Sequence, residues 1–490
     1  MRDDHIRQLL TESCPWWRAA AAGRDPLGWV RTDRILGRRA RYDLGYRAPV
    51  LTDLGVAPLG DTLAVLRGPR RVGKSVALRD LTATLLARPD VHPHQVVYLA
   101  CDGMTAQDLT RALRLGRELT RHLDAQGSRP RVWLLDEVTS VKGWAASLKR
   151  ARDATPFGDD TVVATGSSWR AEEDVEGHLL AGRAGSAGLR RVRQLMPMSF
   201  REYLATTRPH LPSPGPIHPA HLQQPEVATL LEEVRFDVDE YDLAWQAYLS
   251  CGGFPRAVTA MERTGAHDMD YLLDLAAWLR RDVDPEAPAE SVPLLIAGIS
   301  VRATSPMDVS GTALALGYSS RKVFNLRVNR LVGCFAALRC PHRDDLGRRV
   351  PNAQAKTYLS DPILAWLPSL LRSGLGPADF TSLSEQALAT AAARALDDLE
   401  PGRLITEDTI GYTRTASGQE VDLAPVPVDS PTGTVLSVPV ESKWVDKNWR
   451  SEAKTMENKY ARGILATKTL LDTTNPTWAV PAPLVALLLI

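Results

Sequence analysis

The stretch Leu63-Ala-Val-Leu-Arg-Gly68-Pro69-Arg70-Arg71-Val72-Gly73-Lys74-Ser75-Val76 decides the fold. A short apolar run leads into G-x-x-x-x-G-K-S, and the residues from Val76 to Leu86 continue with helical spacing. Strand, glycine loop and helix in that order are the context a phosphate-binding P-loop requires. Gly68 and Gly73 permit backbone torsions and close approach that a Cβ would block. Successive N–H groups then turn inward as a nest for phosphate oxygens, backed by the positive end of the following helix. Lys74 would reach the β- and γ-phosphates, and the Ser75 hydroxyl would take a place on Mg2+. The expected ligands are therefore ATP and Mg2+. The bland alternative is a glycine turn with a chance lysine; the flanking strand and helix weigh against it.

The chain has 490 residues, too many for one core, so two to four domains are expected. Its 44% apolar and 24% charged content is that of an ordinary globular protein. No apolar run reaches the roughly 18 residues of a membrane span, and Met1-Arg-Asp-Asp-His-Ile does not read as a signal peptide. Cys14, Cys101, Cys251, Cys334 and Cys340 show no metal-ligand spacing and leave one unpaired, which suits a reducing cytoplasm. A net charge of +1 argues against a uniformly basic coat, though not against a local basic groove.

Residues 1–56 hold ten arginines and the tryptophans Trp16, Trp17 and Trp29. Two readings stand: a nucleic-acid-binding segment that stacks bases on tryptophan, or a helical segment packed on the core with solvated arginines. The second is preferred. From 57 to about 205, strands and helices alternate, which implies a parallel sheet. His94 to Asp102 reads as a second strand, residues 105–125 as an amphipathic helix, and Arg131-Val-Trp-Leu-Leu-Asp136-Glu137 as a strand ending in two carboxylates. This is a Walker B arrangement: Asp136 would hold the Mg2+ shell and Glu137 would polarise the attacking water. Thr161-Val-Val-Ala-Thr165-Gly-Ser167-Ser168 suits a central strand whose end lies between the P-loop and Asp136. Ser167 or Thr165 would sense the γ-phosphate there; a plain turn is the alternative.

Gly68-Pro-Arg-Arg-Val-Gly-Lys-Ser75, Leu135-Asp-Glu-Val138 with Trp144, and Thr165-Gly-Ser-Ser168 resemble the AAA-type ATPases of bacteria and archaea. The group in question is related to origin-recognition and signal-transducing (STAND) ATPases. Leu180-Ala-Gly-Arg183, Leu195-Met-Pro-Met-Ser-Phe-Arg-Glu-Tyr203 and Tyr248-Leu-Ser-Cys-Gly-Gly-Phe-Pro255 extend the resemblance, which covers roughly 57–445. It implies an α/β fold: an AAA+ core with a parallel sheet, a helical lid, a winged helix and a C-terminal α/β nuclease-like domain. The expected boundaries are 1–56, 57–205, 206–288, 289–375 and 376–490. The resemblance also implies that Arg183 acts as an arginine finger or coupling residue, with a structural ion pair as the alternative. Arg256, in Gly253-Phe-Pro-Arg256, would sense nucleotide from the lid.

Residues 205–233, rich in proline and histidine, read as an exposed loop or hinge, and 234–285 as helices. Three further helices are expected at 294–301, 308–317 and 321–331, with Ser319-Ser320 offering an N-cap to the third. Val323, Leu326 and Leu331 would face its core, while Lys322, Asn325 and Asn329 would be free for a DNA groove or a protein partner. Cys340-Pro-His-Arg-Asp-Asp-Leu-Gly-Arg-Arg349 would form a basic wing.

The C-terminal part carries a second constellation. Glu385 sits early in a helix, Glu420-Val-Asp422 opens a strand, a turn follows at 429–433, and Pro439-Val-Glu441-Ser-Lys443 closes the next strand. Asp, hairpin and Glu-x-Lys form the pattern of the restriction-endonuclease-like fold. Asp422 and Glu441 would share Mg2+, Glu385 would complete its shell, and Lys443 would orient a metal-bound water. Pro439 weighs against catalysis, since proline removes a ladder bond from a central strand. The alternative is a surface Glu441–Lys443 ion pair. The helix from Glu452 to Ala461 would offer Lys454 and Lys459 to phosphates, and Trp478–Ile490 would be a packed tail.

The leading reading is an ATP-hydrolysing enzyme that remodels, translocates or branch-migrates DNA, with or without metal-dependent cleavage. An ATP-dependent switch controlling an effector nuclease is the second, and an ATPase with an inert nuclease-like DNA- or protein-binding domain the third. A homo-oligomer, DNA and a protein partner are expected, and a membrane is not.

Overall fold

A computed structural model describes residues 1–125, 129–167, 191–286, 288, 291–372, 376–399, 409–415, 418–431, 433–447 and 449–490. Arg183, Ser168 and the 180–183 motif lie outside the described residues. The chain divides into two compact units, Met1–Leu195 and Met196–Ile490.

The first unit is built on a parallel five-stranded sheet. Its strands are β1 (Thr62–Arg67), β2 (Val96–Ala100), β3 (Val132–Asp136), β4 (Thr161–Gly166) and β5 (Val192–Gln194), in the order β2-β3-β4-β1-β5. β1, β3 and β4 are buried along their whole length, as continuous apolar runs covered on both faces must be. The helices are α1 (Asp3–Ser13), α2 (Pro15–Ala21), α3 (Arg34–Ala40), α4 (Thr52–Val56), α5 (Lys74–Ala87), α6 (Ala106–Leu119) and α7 (Trp144–Ala154). β4 pairs with β1 on one side and β3 on the other, so its end does lie between the P-loop and Asp136.

The N-terminal segment is packed rather than presented. Trp16 and Trp17 both donate from Nε1 to the carbonyl of Val96, at 2.9 and 3.0 Å. Trp16, Trp17 and Trp29 are all buried. They complete the wall beside β2 and leave no ring face for a base. Several arginines are tied down as well: Arg39 to Asp80 at 2.6 Å, Arg7 to Glu118 at 2.7 Å and Arg47 to Asp43 at 2.9 Å.

The second unit opens with α8 (Phe200–Thr207), α9 (Pro225–Glu233), α10 (Val238–Cys251), α11 (Pro255–Thr264) and α12 (Met269–Val283). α9 corrects the expectation of a loop through 233. Pro225 occupies a first-turn position, where its missing N–H costs nothing, and Val227 and Leu231 bury one face. Next come α13 (Ser291–Ser300), α14 (Val309–Ala315) and α15 (Arg321–Gly333), then an antiparallel pair, β6 (Ala337–Cys340) and β7 (Lys356–Leu359). Ser320 caps α15 as expected. The buried face of α15 is Phe324, Val328 and Leu331; Leu326 is 48% exposed and Val323 only half-buried. The 3.6-residue period through Leu331 selects 324 and 328 and excludes 326.

After α16 (Pro362–Leu371) and α17 (Phe380–Leu399), the chain forms two small antiparallel pairs. These are β8 (Thr413–Arg414) with β9 (Glu420–Val421), and β10 (Pro427–Ser430) with β11 (Gly433–Leu436). A parallel sheet of β12 (Val440–Ser442), β13 (Gly463–Thr467) and β14 (Thr477–Pro481) follows, in that order. α18 (Trp449–Tyr460) buries Trp449, Ala453 and Met456 against Val421, Leu465 and Ala479. The tail is β14 plus α19 (Ala482–Leu489), and every residue of α19 is buried. This is the packed tail the sequence led one to expect. Pro439 precedes β12 and accepts from Ile464 N at 2.9 Å, a position where proline fits. Lys459 is engaged by Thr413 Oγ1 at 2.8 Å and Asp345 at 3.0 Å, which removes it from the phosphate contacts expected of it. Lys454 is exposed.

Candidate functional site

In the first unit, β1 delivers the chain to Gly68. There φ is +148°, and a Cβ would stand 2.0 Å from the Leu195 carbonyl oxygen. Only glycine satisfies both demands. Gly73, with φ +111°, starts α5, and no side chain caps that helix. Its first N–H groups are thus left for an anion. Between the glycines, Pro69 and Val72 are buried, Arg70 is half-buried and Arg71 exposed at φ +67°. Ser75 and Val76 are half-buried on the first turn of α5. The buried Lys74 ammonium donates to the carbonyls of Gly68 at 3.0 Å and Pro69 at 2.9 Å, so it arches back over the loop.

Asp136 ends β3 beneath a hydrogen-bonded frame. Tyr98 Oη donates to Asp136 Oδ2 at 2.6 Å, and Thr165 Oγ1 donates to Oδ1 at 2.7 Å. Thr165 Oγ1 also accepts from the Glu137 N–H at 3.0 Å. One hydroxyl therefore braces both acidic residues, and Glu137 itself sits in a left-handed turn at φ +53°. Of the two γ-phosphate sensors expected, Thr165 is the one joined to Asp136; Ser167 is buried one residue beyond β4. Tyr98 was not legible as a site residue: it reads as one more aromatic in an apolar strand. Its phenol is held well above the ordinary range by burial and by the Asp136 charge. Each Asp136 oxygen keeps lone pairs beyond the bond it accepts. With the Ser75 hydroxyl this is an all-oxygen donor set, which fits Mg2+.

In the second unit, Arg256 pairs with Asp268 at 2.8 Å and lies 5.2 Å over the Tyr271 ring. The same unit gathers Glu385, Asp422, Glu441 and Lys443 as the spacing implies. Asp422 N donates to Glu441 Oε2 at 3.0 Å, Ser442 N donates to Asp422 Oδ2 at 2.9 Å, and Lys443 pairs with Glu441 Oε1 at 3.2 Å. A group not read from the sequence stands among them. Lys356, the first residue of β7, places its ammonium 2.7 Å from Asp422 Oδ1, 3.1 Å from Glu385 Oε1 and 3.3 Å from Glu420 Oε2. Tyr358, two residues on and so on the same strand face, donates to Glu385 Oε1 at 2.7 Å. The available signal was Lys356-Thr-Tyr358 alternating in a short strand, which solvated faces show equally well.

Burial, reinforced by the Asp422 charge, pushes Glu385 and Glu441 each up to about 8. Burial pulls Lys356 down, but Asp422, Glu385 and Glu420 together outweigh it and hold the ammonium well above its ordinary range. The chemistry available to this cluster is that of an internally neutralised ion group. As arranged, it does not fit a divalent ion: the Lys356 ammonium already stands 2.7 Å from Asp422 Oδ1 and 3.1 Å from Glu385 Oε1, where an ion bridging those two carboxylates would sit.

No curated protein sequence matches the chain. Among solved structures, a Walker-type ATPase of Pyrococcus abyssi is 14% identical, spanning 63% of this chain and 91% of that one with a TM-score of 0.39. The Aeropyrum pernix ORC1 protein, solved in complex with DNA, is 13% identical over 72% and 91% at a TM-score of 0.27. The Thermotoga maritima RuvB Holliday junction branch migration motor is 14% identical over 57% and 82% at 0.25. Residues 61–204 match the profile of the AAA domain family AAA_14. That span holds the P-loop, the Asp136–Glu137 pair and Thr165 on a parallel α/β core.

Proposed function

We propose that the chain binds and hydrolyses ATP in its first unit and acts on DNA, as a homo-oligomer, through its second. The observation that carries the ATPase reading is the frame of Asp136, Thr165 and Glu137 at the sheet end beside an uncapped P-loop helix. Lys74 turns from the Gly68 and Pro69 carbonyls to the phosphates when nucleotide enters. Ser75 and Asp136 would hold Mg2+, which would offset phosphate charge. Glu137, fixed by its N–H bond to Thr165, orients the attacking water.

The DNA reading rests on the second unit. Three helices followed by an antiparallel pair support a winged-helix reading, in which the 341–355 segment would be the wing. A groove of about 460 Å3 between α15 and that segment is lined by Arg321, Asn325, Asn329, Arg339 and Arg349. Arginine and asparagine on a helix beside a groove suit phosphate and base-edge contact. Remodelling, translocation and branch migration of DNA all remain within this reading. A second reading is favoured by Lys356: the nuclease-like domain grips DNA or a protein partner without cutting.

The test is ATP turnover by the purified chain with and without single-stranded, duplex and branched DNA, with the same DNA followed on a gel. Stimulation by one form identifies the substrate class. Turnover indifferent to all DNA, with no shift in migration, rejects the DNA reading in favour of an ATP-dependent switch acting on a protein.

A further inference from the structure

We infer that Lys356 is the resident cation of the Glu385–Asp422–Glu420 cluster and that its ammonium excludes divalent metal from it. The inference builds on the nuclease-like reading of the fold, but it concerns ion occupancy and not cleavage.

The geometry is that of a cation at the centre of its ligands. An ammonium has three N–H donors, and Lys356 has three carboxylates within 3.3 Å, on Asp422, Glu385 and Glu420. The lysine has no exposed surface. Its backbone is held too: Lys356 pairs in register with Cys340 across the β6–β7 ladder. Head and stem are thus fixed by different elements, and the side chain is not a surface group that swings in by chance. Neighbouring donors also engage the group: Ser442 N donates to Asp422 Oδ2, Asp422 N donates to Glu441 Oε2, Lys443 pairs with Glu441 Oε1, and Tyr358 shares Glu385 Oε1 with Lys356.

A Mg2+ ion needs near-octahedral oxygens at about 2.0–2.1 Å. It would have to occupy the space the Lys356 nitrogen fills and would meet the ammonium as a like charge. Two cations cannot share these carboxylates at such range without strong repulsion. Lys356 serves the cluster in the ion's place: it neutralises carboxylates that would otherwise repel one another, and so joins β7, α17 and the end of β9.

The test is Mn2+ binding by the full-length chain, read as loss of the free-ion electron paramagnetic resonance signal. Wild type, Lys356→Met, and each of these with Asp422→Asn would be compared without nucleotide. Binding that Asp422→Asn removes belongs to this cluster and not to the P-loop. The expected result is none in wild type and one new site per chain in Lys356→Met, accompanied by a Mn2+-induced rise in melting temperature. Binding in wild type that Asp422→Asn abolishes overturns the inference. So does a folded Lys356→Met chain with no such binding. Should Lys356→Met fold only with Mn2+ present, the ion is standing in for the ammonium, and the inference holds. Should it fail to fold either way, the wild-type pair decides by the same criterion. Plasmid incubated with Mn2+-loaded Lys356→Met tests the nuclease-like reading separately: binding without cleavage rejects catalysis and leaves the cation assignment standing.

Discussion

Thr165→Val isolates the contribution of one hydroxyl to the nucleotide site. Valine keeps the shape of a side chain with no exposed surface. It deletes the bond to Asp136 Oδ1 at 2.7 Å and the acceptor of the Glu137 N–H at 3.0 Å. A hydrogen bond to an ionised group contributes about 1.5–3 kcal/mol, and a neutral one about 0.5–1.5 kcal/mol. The loss therefore falls near ~2–4 kcal/mol, or about 30-fold to nearly 1000-fold in a local opening equilibrium. The direct assay is amide hydrogen exchange at Glu137 and along β3, a readout confined to the first unit. Exchange at Glu137 should quicken within that range, and ATP turnover should fall because the carboxylate proposed to orient water loses its brace. Thr165→Ser, which restores the hydroxyl, should return both to wild-type values. Wild-type exchange at Glu137 together with wild-type turnover in Thr165→Val would refute the bracing role.

Lys74→Ala should abolish ATP turnover while circular dichroism and elution volume stay unchanged, and undiminished turnover would defeat the P-loop assignment. Stability of the first unit should rise between about pH 4 and 6.5 through His94. Burial, helped by His122 and His92, depresses its imidazole from 6.5 to about 4. In that window the unfolded chain binds the extra proton, so stability is present above 6.5 and lost as pH falls through 4. A His94→Asn chain should show a flatter acid limb in melting temperature, and an unchanged limb would count against it. Arg321 and Lys322 are exposed at the start of α15. Replacing both by alanine should weaken DNA binding across sequences and lower the salt slope by about 1 for each phosphate no longer neutralised. An unaltered slope, measured by fluorescence anisotropy, would remove α15 from the interface.

The P-loop motif was legible because its residues are local. Gly68, Gly73, Lys74 and Ser75 lie on one turn of chain, and the torsions they require are properties of glycine itself. Asp136 and Glu137 were legible for a similar reason, as an acidic pair after an apolar strand. The helices of the 291–333 segment were legible from their caps and breakers, yet Leu326 was assigned to the core in place of Phe324 and Val328. Exposure on a short helix depends on which neighbours arrive, and here α14 and β6 pack on the other side. Pro439 read as an obstacle only because the start of β12 was not known to the residue.

Residue type and spacing along the chain were sufficient for the P-loop, the strand-and-helix alternation around it, and the gathering of Glu385, Asp422, Glu441 and Lys443. They were insufficient for what stands between those groups. Lys356 meets Glu385, Glu420 and Asp422 across separations of 29 to 66 residues. No local rule ties a lysine on β7 to an acid on α17. An aspartate and a glutamate look the same in sequence whether they are to hold a metal ion or an ammonium. The difference is set by which cation reaches the shared space, and that depends on the ladder between β6 and β7 delivering Lys356 into a pocket too dry to leave the carboxylates unpaired.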